Sequence, residues 1–244
     1  MNTINLMYHN VTSDLFPYSG FSDIAASQYN IDIITFEKQV IAVSLYNNVV
    51  FTFDDGGSSF YTIIADILEK YGKKGIFFIS TAYIGMNGFL TSSQIANLSK
   101  RGHTIASHSH THPEWISKLS TEESLQEWKI SKQILESIIQ KPIFLASIPN
   151  GDISKSVLQN LSDAGYSDIY TSEPIVHNRF FLNGVTIHGR FVVTNKMNTQ
   201  MITSIITRPI VRMKLFIRYQ LLSVIKFIVG DKYEYIKQKV LKFI

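Results

Sequence analysis

Cysteine is absent from the 244 residues. That excludes thiolate metal cages and disulfide frameworks, and it fits any redox compartment. Long apolar runs are also missing. No continuous one reaches the roughly 18 residues that span a bilayer, and the most apolar C-terminal stretch is interrupted by Arg212, Lys214, Arg218 and Lys226. The opening Met1-Asn2-Thr3-Ile4-Asn5-Leu6-Met7-Tyr8-His9 has neither the basic start nor the apolar run of a cleaved signal, so a cytoplasmic location is expected. No internal repeat or low-complexity tract interrupts the chain. With 45% hydrophobic and 17% charged residues, disorder is excluded and one domain with a substantial core is implied.

Charge is scarce over the body and concentrated at one end. Residues 208–244 carry nine Lys or Arg against Asp231 and Glu234, a net of +7, while the preceding residues hold 14 basic against 17 acidic, a net of −3. A mildly acidic body argues against nucleic acid as a partner. The basic tail suggests a local anionic one, such as a peripheral membrane surface. From Met201 the pattern is helical, with Met213, Ile217, Leu221, Val224 and Ile228 in a stripe. Two readings stay open: a helix packed on the body, or an interfacial helix on an anionic membrane.

What is present centres on two stretches. Thr52-Phe53-Asp54-Asp55-Gly56 puts two carboxylates at the end of the apolar run Val49 to Phe53, a buried strand opening into a Gly-Gly-Ser-Ser loop. His108-Ser109-His110-Thr111-His112 follows about fifty residues later, and its outer histidines, four apart, can aim at one point from a single turn. Two imidazoles and a carboxylate, with room for water, form the ligand set of a catalytic zinc site; a structural site is closed by four protein ligands. Pro113 biases His112 away from the helical region, so the turn is expected in a loop.

Strand and helix signals alternate along the chain. Ile4–Tyr8, 49–53, Gly75–Ser80, Thr104–Ser107, Ile143–Ser147, Ile169–Thr171 and Arg190–Val193 read as strands. Helices are expected after an N-cap at Thr35, from Ser58 or Ser59 to Lys70, over Ser92–Lys100, from the capping box Ser120-x-x-Glu123 to Ile139, and over Ser154–Ala164. Residues 10–32 read as a long loop that shapes a rim. Buried strands alternating with helices imply a parallel sheet, and acids and histidines at strand C-termini point to a barrel.

These boxes resemble the polysaccharide deacetylases with a NodB homology domain. The resemblance rests on the TFDDG and His-Ser-x-x-His boxes, the Leu6-Met7-Tyr8-His9 opening, Arg101 to Ser107, and Ile148-Pro149-Asn150-Gly151-Asp152, and covers about residues 4–195. It implies a distorted (β/α) barrel of about seven parallel strands over residues 1–200, with a basic helical tail at 201–244. It implies one divalent metal, zinc, on Asp55, His108 and His112, with Asp54 as general base and Pro149, Asn150 and Gly151 as the groove that stabilises the oxyanion. His188 is the late histidine that would act as general acid, and His9 is either a pocket wall or a hydrogen-bonded strand end. His110 should face away from the metal and His103 should support packing. Many relatives carry an Arg two residues before the Pro, pairing with the base; here Ser147 stands there, so another cation must orient Asp54 or the base is tuned differently. The implied activity is removal of acetyl groups from N-acetylated sugars of a glycan or lipid-linked precursor in surface polysaccharide biosynthesis. A non-catalytic carbohydrate-binding relative and a hydrolase of another non-peptide amide remain the alternatives.

Overall fold

In the computed structural model, which describes residues 3–181 and 184–229, the strand β1 (Ile4–Tyr8) is buried along its whole length. Burial of both its faces, with Asn5 satisfied by the Gly189 carbonyl, suits a parallel neighbour on each side. Those neighbours are β4 (Val49–Phe53), paired Ile4↔Val49 to Tyr8↔Phe53, and β11 (Phe191–Val192). From β4 the parallel sheet continues through β5 (Gly75–Ile79), β6 (Thr104–Ser107), β7 (Leu145–Ser147) and β8 (Asp168–Tyr170). The intervening segments hold α3 (Ala65–Lys70), α4 (Ser92–Lys100), α5 (Thr121–Ile139) and α6 (Lys155–Asp163).

The sheet is completed by a strand in two pieces. β10 (Thr186–His188) pairs in parallel with β8, and β11, after only Gly189 and Arg190, pairs with β1. Because β8 and β1 are the two free edges, this broken strand bridges them, giving seven positions around a distorted (β/α) barrel. The short β9 (Arg179–Phe180) adds antiparallel to β10 outside the ring. Gly189 stands where a Cβ would meet Ile175 Cγ1 at 2.4 Å and the Glu173 carbonyl at 2.5 Å, so only glycine lets the 173–175 loop pass the break.

Several local expectations shift by a turn. The helix before β4, α2 (Ile33–Ser44), is capped by Asp32, whose carboxylate accepts from the Thr35 amide; Thr35 lies inside the first turn. The helix expected from Ser58 or Ser59 begins as a π-helical turn over Phe60–Ile64. Ser59 caps nothing, because its hydroxyl accepts from Val11 N–H and its own amide donates to Ser19. Residues 10–32 are more ordered than a loop: β2 (Asn10–Thr12) and β3 (Asn30–Asp32) pair in parallel around the short α1 (Ile24–Ser27). The capping box at Ser120 and Glu123 is present with both arms.

The C-terminal segment divides into two. α7 (Thr199–Thr207) straddles the expected boundary at residue 201 and buries Ile202, Ile205 and Ile206 in the main core. α8 (Pro209–Val229) follows, with Arg212 donating to the last carbonyls of α7, Ile205 and Ile206. Met213, Ile217, Leu221 and Val224 of the expected stripe face solvent. Ile228 and Lys226 lie among residues of which only the backbone is described, and 230–244 lie outside the described residues. Among the described residues no helix is long and apolar enough to cross a membrane.

Candidate active site

The register of β1 against β4 puts the residues that follow them, His9 and Asp54, side by side at the C-terminal edge of the barrel, and Asp54 N–H donates to the Tyr8 carbonyl. Successive strand residues point to opposite faces, so Asp54 and Asp55 can share a cavity only if the backbone turns between them. The turn falls on Asp55 itself, with φ 87°, and continues through Gly56 at φ 91°. A non-glycine residue held there stores about 1–3 kcal/mol of strain.

The histidine box is a loop after β6, with Ser109 at φ 63° and His112 at φ 56°. Side chains lock it: Ser107 accepts from Ser109 N–H, Ser109 accepts from His112 N–H, and the Glu127 carboxylate on α5 accepts from the amides of His110 and Thr111. Of the five non-glycine residues with positive φ among the described residues, Asp55, Ser109, His112 and Asn150 surround this one site, the remaining one being the C-cap Gln140. Strain is thus concentrated where geometry must be imposed.

The three expected ligands converge. Asp55 Oδ1 is 3.5 Å from His108 Nε2 and 3.5 Å from His112 Nε2, and among the described residues theirs is the one group of three His or acidic side chains that could hold a metal ion. Donors on a tetrahedral zinc with bonds of about 2.0–2.1 Å stand roughly 3.3 Å apart, so the set fits with little movement. His108 Nδ1 lies 3.0 Å from the Ser147 carbonyl and 2.6 Å from its hydroxyl. Since a carbonyl only accepts, Nδ1 carries the proton and Nε2 presents its lone pair to the centre. Burial raises the Asp55 carboxyl, but bonds to His108 and His112 together with the charges of His9 and His112 outweigh it and hold it well below the usual range. For His112, burial lowers the imidazole, but the Asp55 hydrogen bond together with the Asp55 and Asp54 charges more than restores it, leaving it raised.

Asp54 meets a different partner. Arg190, buried in the strand break, donates from Nη1 to Oδ1 at 2.6 Å and from Nη2 to Oδ2 at 2.7 Å. Its Nε donates to the Thr171 carbonyl, and its guanidinium lies over Phe78. This is the cation that Ser147 does not supply. Burial, the largest single influence, raises the Asp54 carboxyl, but the Arg190 charge and hydrogen bonds together with the charges of His108 and His9 outweigh it, and the net shift is downward.

Of the two readings of His9 the structure takes the pocket wall, and it sets His188 apart from the cavity. His188 does not line the cavity: its Nε2 is 2.8 Å from Asp168 Oδ1 and its ring stacks on Tyr170 at 4.6 Å. His9 lines the cavity, stacks on Tyr29 at 4.3 Å, and has a buried Nδ1 with no hydrogen-bond partner among the described residues. Burial lowers its pKa, against the pull of Asp55 and Asp54. His110 turns away to Thr81, and His103 packs under Gly75. Asn150 and Gly151 line the cavity, and Pro149 is buried beside them. The cavity, about 690 Å³, also takes Phe21, Asp23 and Tyr29 from the 10–32 segment and Tyr219, Leu222 and Ser223 from α8. Arg190 had read as the start of a plain strand; its one sequence signal was the preceding glycine.

A family model described as polysaccharide deacetylase matches residues 46–169, which hold both acidic residues and the whole histidine box. The chain belongs to the polysaccharide deacetylase family. Among relatives in that family, the peptidoglycan-N-acetylmuramic acid deacetylase PdaA of Bacillus subtilis (strain 168) is 24% identical over 153 residues, 62% of this chain and 57% of that protein. The Streptococcus pyogenes deacetylase PplD, solved with acetate, superposes with a TM-score of 0.66 at 21% identity, covering 82% of this chain and 96% of that one. IcaB from Ammonifex degensii superposes at 0.68 with 19% identity, covering 84% and 97%. At these identities the solved structures establish the deacetylase fold. The chain spans about half the length of the curated relatives it matches.

Proposed function

We propose that the chain is a metal-dependent hydrolase that removes acetyl groups from N-acetylated sugar units of a glycan or its precursor. The observation that carries this is the convergence of Asp55, His108 and His112 beside an Arg-paired Asp54 on one open cavity. A zinc ion on those three side chains would polarise the acyl oxygen and acidify a water molecule towards neutral pH. Asp54, kept ionised by Arg190, takes the proton of the attacking water. His9, on the adjoining strand end, relays that proton from Asp54 to the departing amine as the carbon–nitrogen bond breaks, which returns Asp54 to its ionised form and leaves acetate and a free amino sugar. Ser147 fixes the His108 tautomer, and the Pro149-Asn150-Gly151 turn borders the acyl oxygen. His188, held by Asp168, serves the fold.

The name of PdaA places that relative on a cell-wall glycan, which supports a surface polysaccharide, or its lipid-linked precursor, as the substrate here. The basic α8 supports a peripheral contact with an anionic membrane. Metal analysis of purified protein, with acetate release measured on a panel of N-acetylated sugars and small amides, tests the activity. A stoichiometric divalent metal and release from the sugars are expected. Release from small amides alone would refute the sugar assignment, and no release from any member would refute the hydrolase.

A further inference from the structure

Large apolar side chains stand in solvent on two separate walls of the catalytic cavity. One wall is the segment leading into α1: Phe21, Asp23, Ala25 and Ala26 line the cavity, while Leu15, Tyr18 and Ile24 are 85%, 75% and 90% exposed. The other is α8: Tyr219, Leu222 and Ser223 line the cavity, while Ile217, Leu221 and Val224 are 52–61% exposed. A helix facing water usually turns its polar side outward. Here Ile210, Met213, Ile217, Leu221 and Val224, at helical spacing, look outward, and residues 209–229 hold four basic residues and no acidic one. An apolar face with basic flanks is the pattern of an interfacial helix. The first wall carries Asp14 and Asp23, so any preference for anionic lipid comes from α8.

We propose that the mouth of the cavity seats on an anionic phospholipid surface, with Tyr18 and Ile24 entering from one wall and Ile217, Leu221 and Val224 from the other. The cavity then receives the sugar of a lipid-linked glycan precursor whose lipid stays in the bilayer. The choice of substrate rests on the deacetylase reading; the membrane seat does not.

Sedimentation of the full chain with phosphatidylglycerol-containing vesicles and with pure phosphatidylcholine vesicles tests the seat. Binding to the first is expected, weakening as salt is raised, with at least a tenfold loss in Ile24→Glu, in Ile217→Glu/Leu221→Glu and in Lys214→Glu/Arg218→Glu. All are surface positions outside the cavity lining, so unchanged melting temperatures are expected. Parent and variants partitioning alike, or the parent staying in the supernatant with both vesicles, would overturn the seat. So would a dimer or a protein complex abolished by these variants while vesicle binding persists. In the activity arm, acetate release from a soluble N-acetylated oligosaccharide should be equal in parent and variants, and release from a lipid-linked N-acetylated saccharide in vesicles should fall tenfold. Equal release from the lipid-linked substrate overturns the assignment of substrate. No release from either substrate by the parent overturns the deacetylase reading, and the vesicle arm still decides the seat.

Discussion

Removing Arg190 should do two separable things. Both oxygens of Asp54 are held by its guanidinium at 2.6 and 2.7 Å, and both residues are buried, so Arg190→Ala strands a carboxylate away from water. Removing one member of a buried ion pair typically costs about 3–5 kcal/mol. At roughly 2–4 °C per kcal/mol for a chain of this size, the melting temperature should fall by about 6–20 °C. Arg190→Lys, a point charge without the fork, should lose less stability than the alanine variant. Arg190→Met combined with Asp54→Asn removes both charges and should recover at least half of what Arg190→Met loses alone, since the remaining groups need no counter-charge. Thermal melts of the parent and the four variants in chelator, to keep metal from contributing, give these numbers. The second effect is on the base. The Arg190 charge is the largest influence lowering the Asp54 carboxyl against its burial, so its loss raises that pKa. The base works ionised, and the acid-side limb of kcat/KM therefore moves to higher pH in Arg190→Lys and further in Arg190→Ala. An alanine variant that melts within about 2 °C of the parent, or a pH profile that does not move, would refute the coupling.

His108→Ala should lose bound metal in the presence of a chelator, because two protein ligands rarely hold zinc, whereas Asp54→Asn should keep it and lose at least about 100-fold in turnover; metal analysis and acetate release on the two variants separate the roles. His9→Gln should lower kcat with little change in metal content, and His188→Gln should leave kcat near the parent value; the reverse ranking would return the acid to the late strand. Stability should fall on acidification through His103: burial lowers its pKa from 6.5 to about 4, so between these values the unfolded chain binds the extra proton and up to about 3 kcal/mol is lost as pH drops from 6.5 to 4. Glu69, lowered from 4.5 to about 2 chiefly by Arg101, extends the loss below pH 4.5, and urea titrations of His103→Asn should be flatter over the upper window only.

Residues that act through their neighbours in sequence were legible. Asp54 and Asp55 close an apolar run of strand length, and a strand in a barrel delivers its last residues to one edge whatever its partners do. His108 and His112 sit four apart before a proline, and the turn this dictates is held in the structure by Ser107, Ser109 and Glu127. The capping box at Ser120 and the glycines ending α3 and α6 mark helix ends for equally local reasons. The π-helical turn at Phe60 was not legible, because Ser59 satisfies Val11 and Ser19 across the fold instead of capping its own helix.

The placements of Arg190 and His188 were not legible for one shared reason, which lies in how the barrel closes. A strand starting at Arg190 would leave His188 in the preceding loop, free to reach the cavity. The chain instead pairs Thr186–His188 with β8, which sets the His188 ring against Tyr170 and Asp168. Pairing then breaks at Gly189, where the 173–175 loop passes too closely for a side chain, and resumes against β1. The break releases Arg190 from the alternation of either piece and lets it run inward to Asp54. Which face a residue takes is thus decided by two neighbours that are remote in sequence, β8 and β1. The same seam that bridges the free edges of the sheet supplies the counter-charge of the proposed base, so substitutions that move Gly189 should disturb the barrel and the pH profile together.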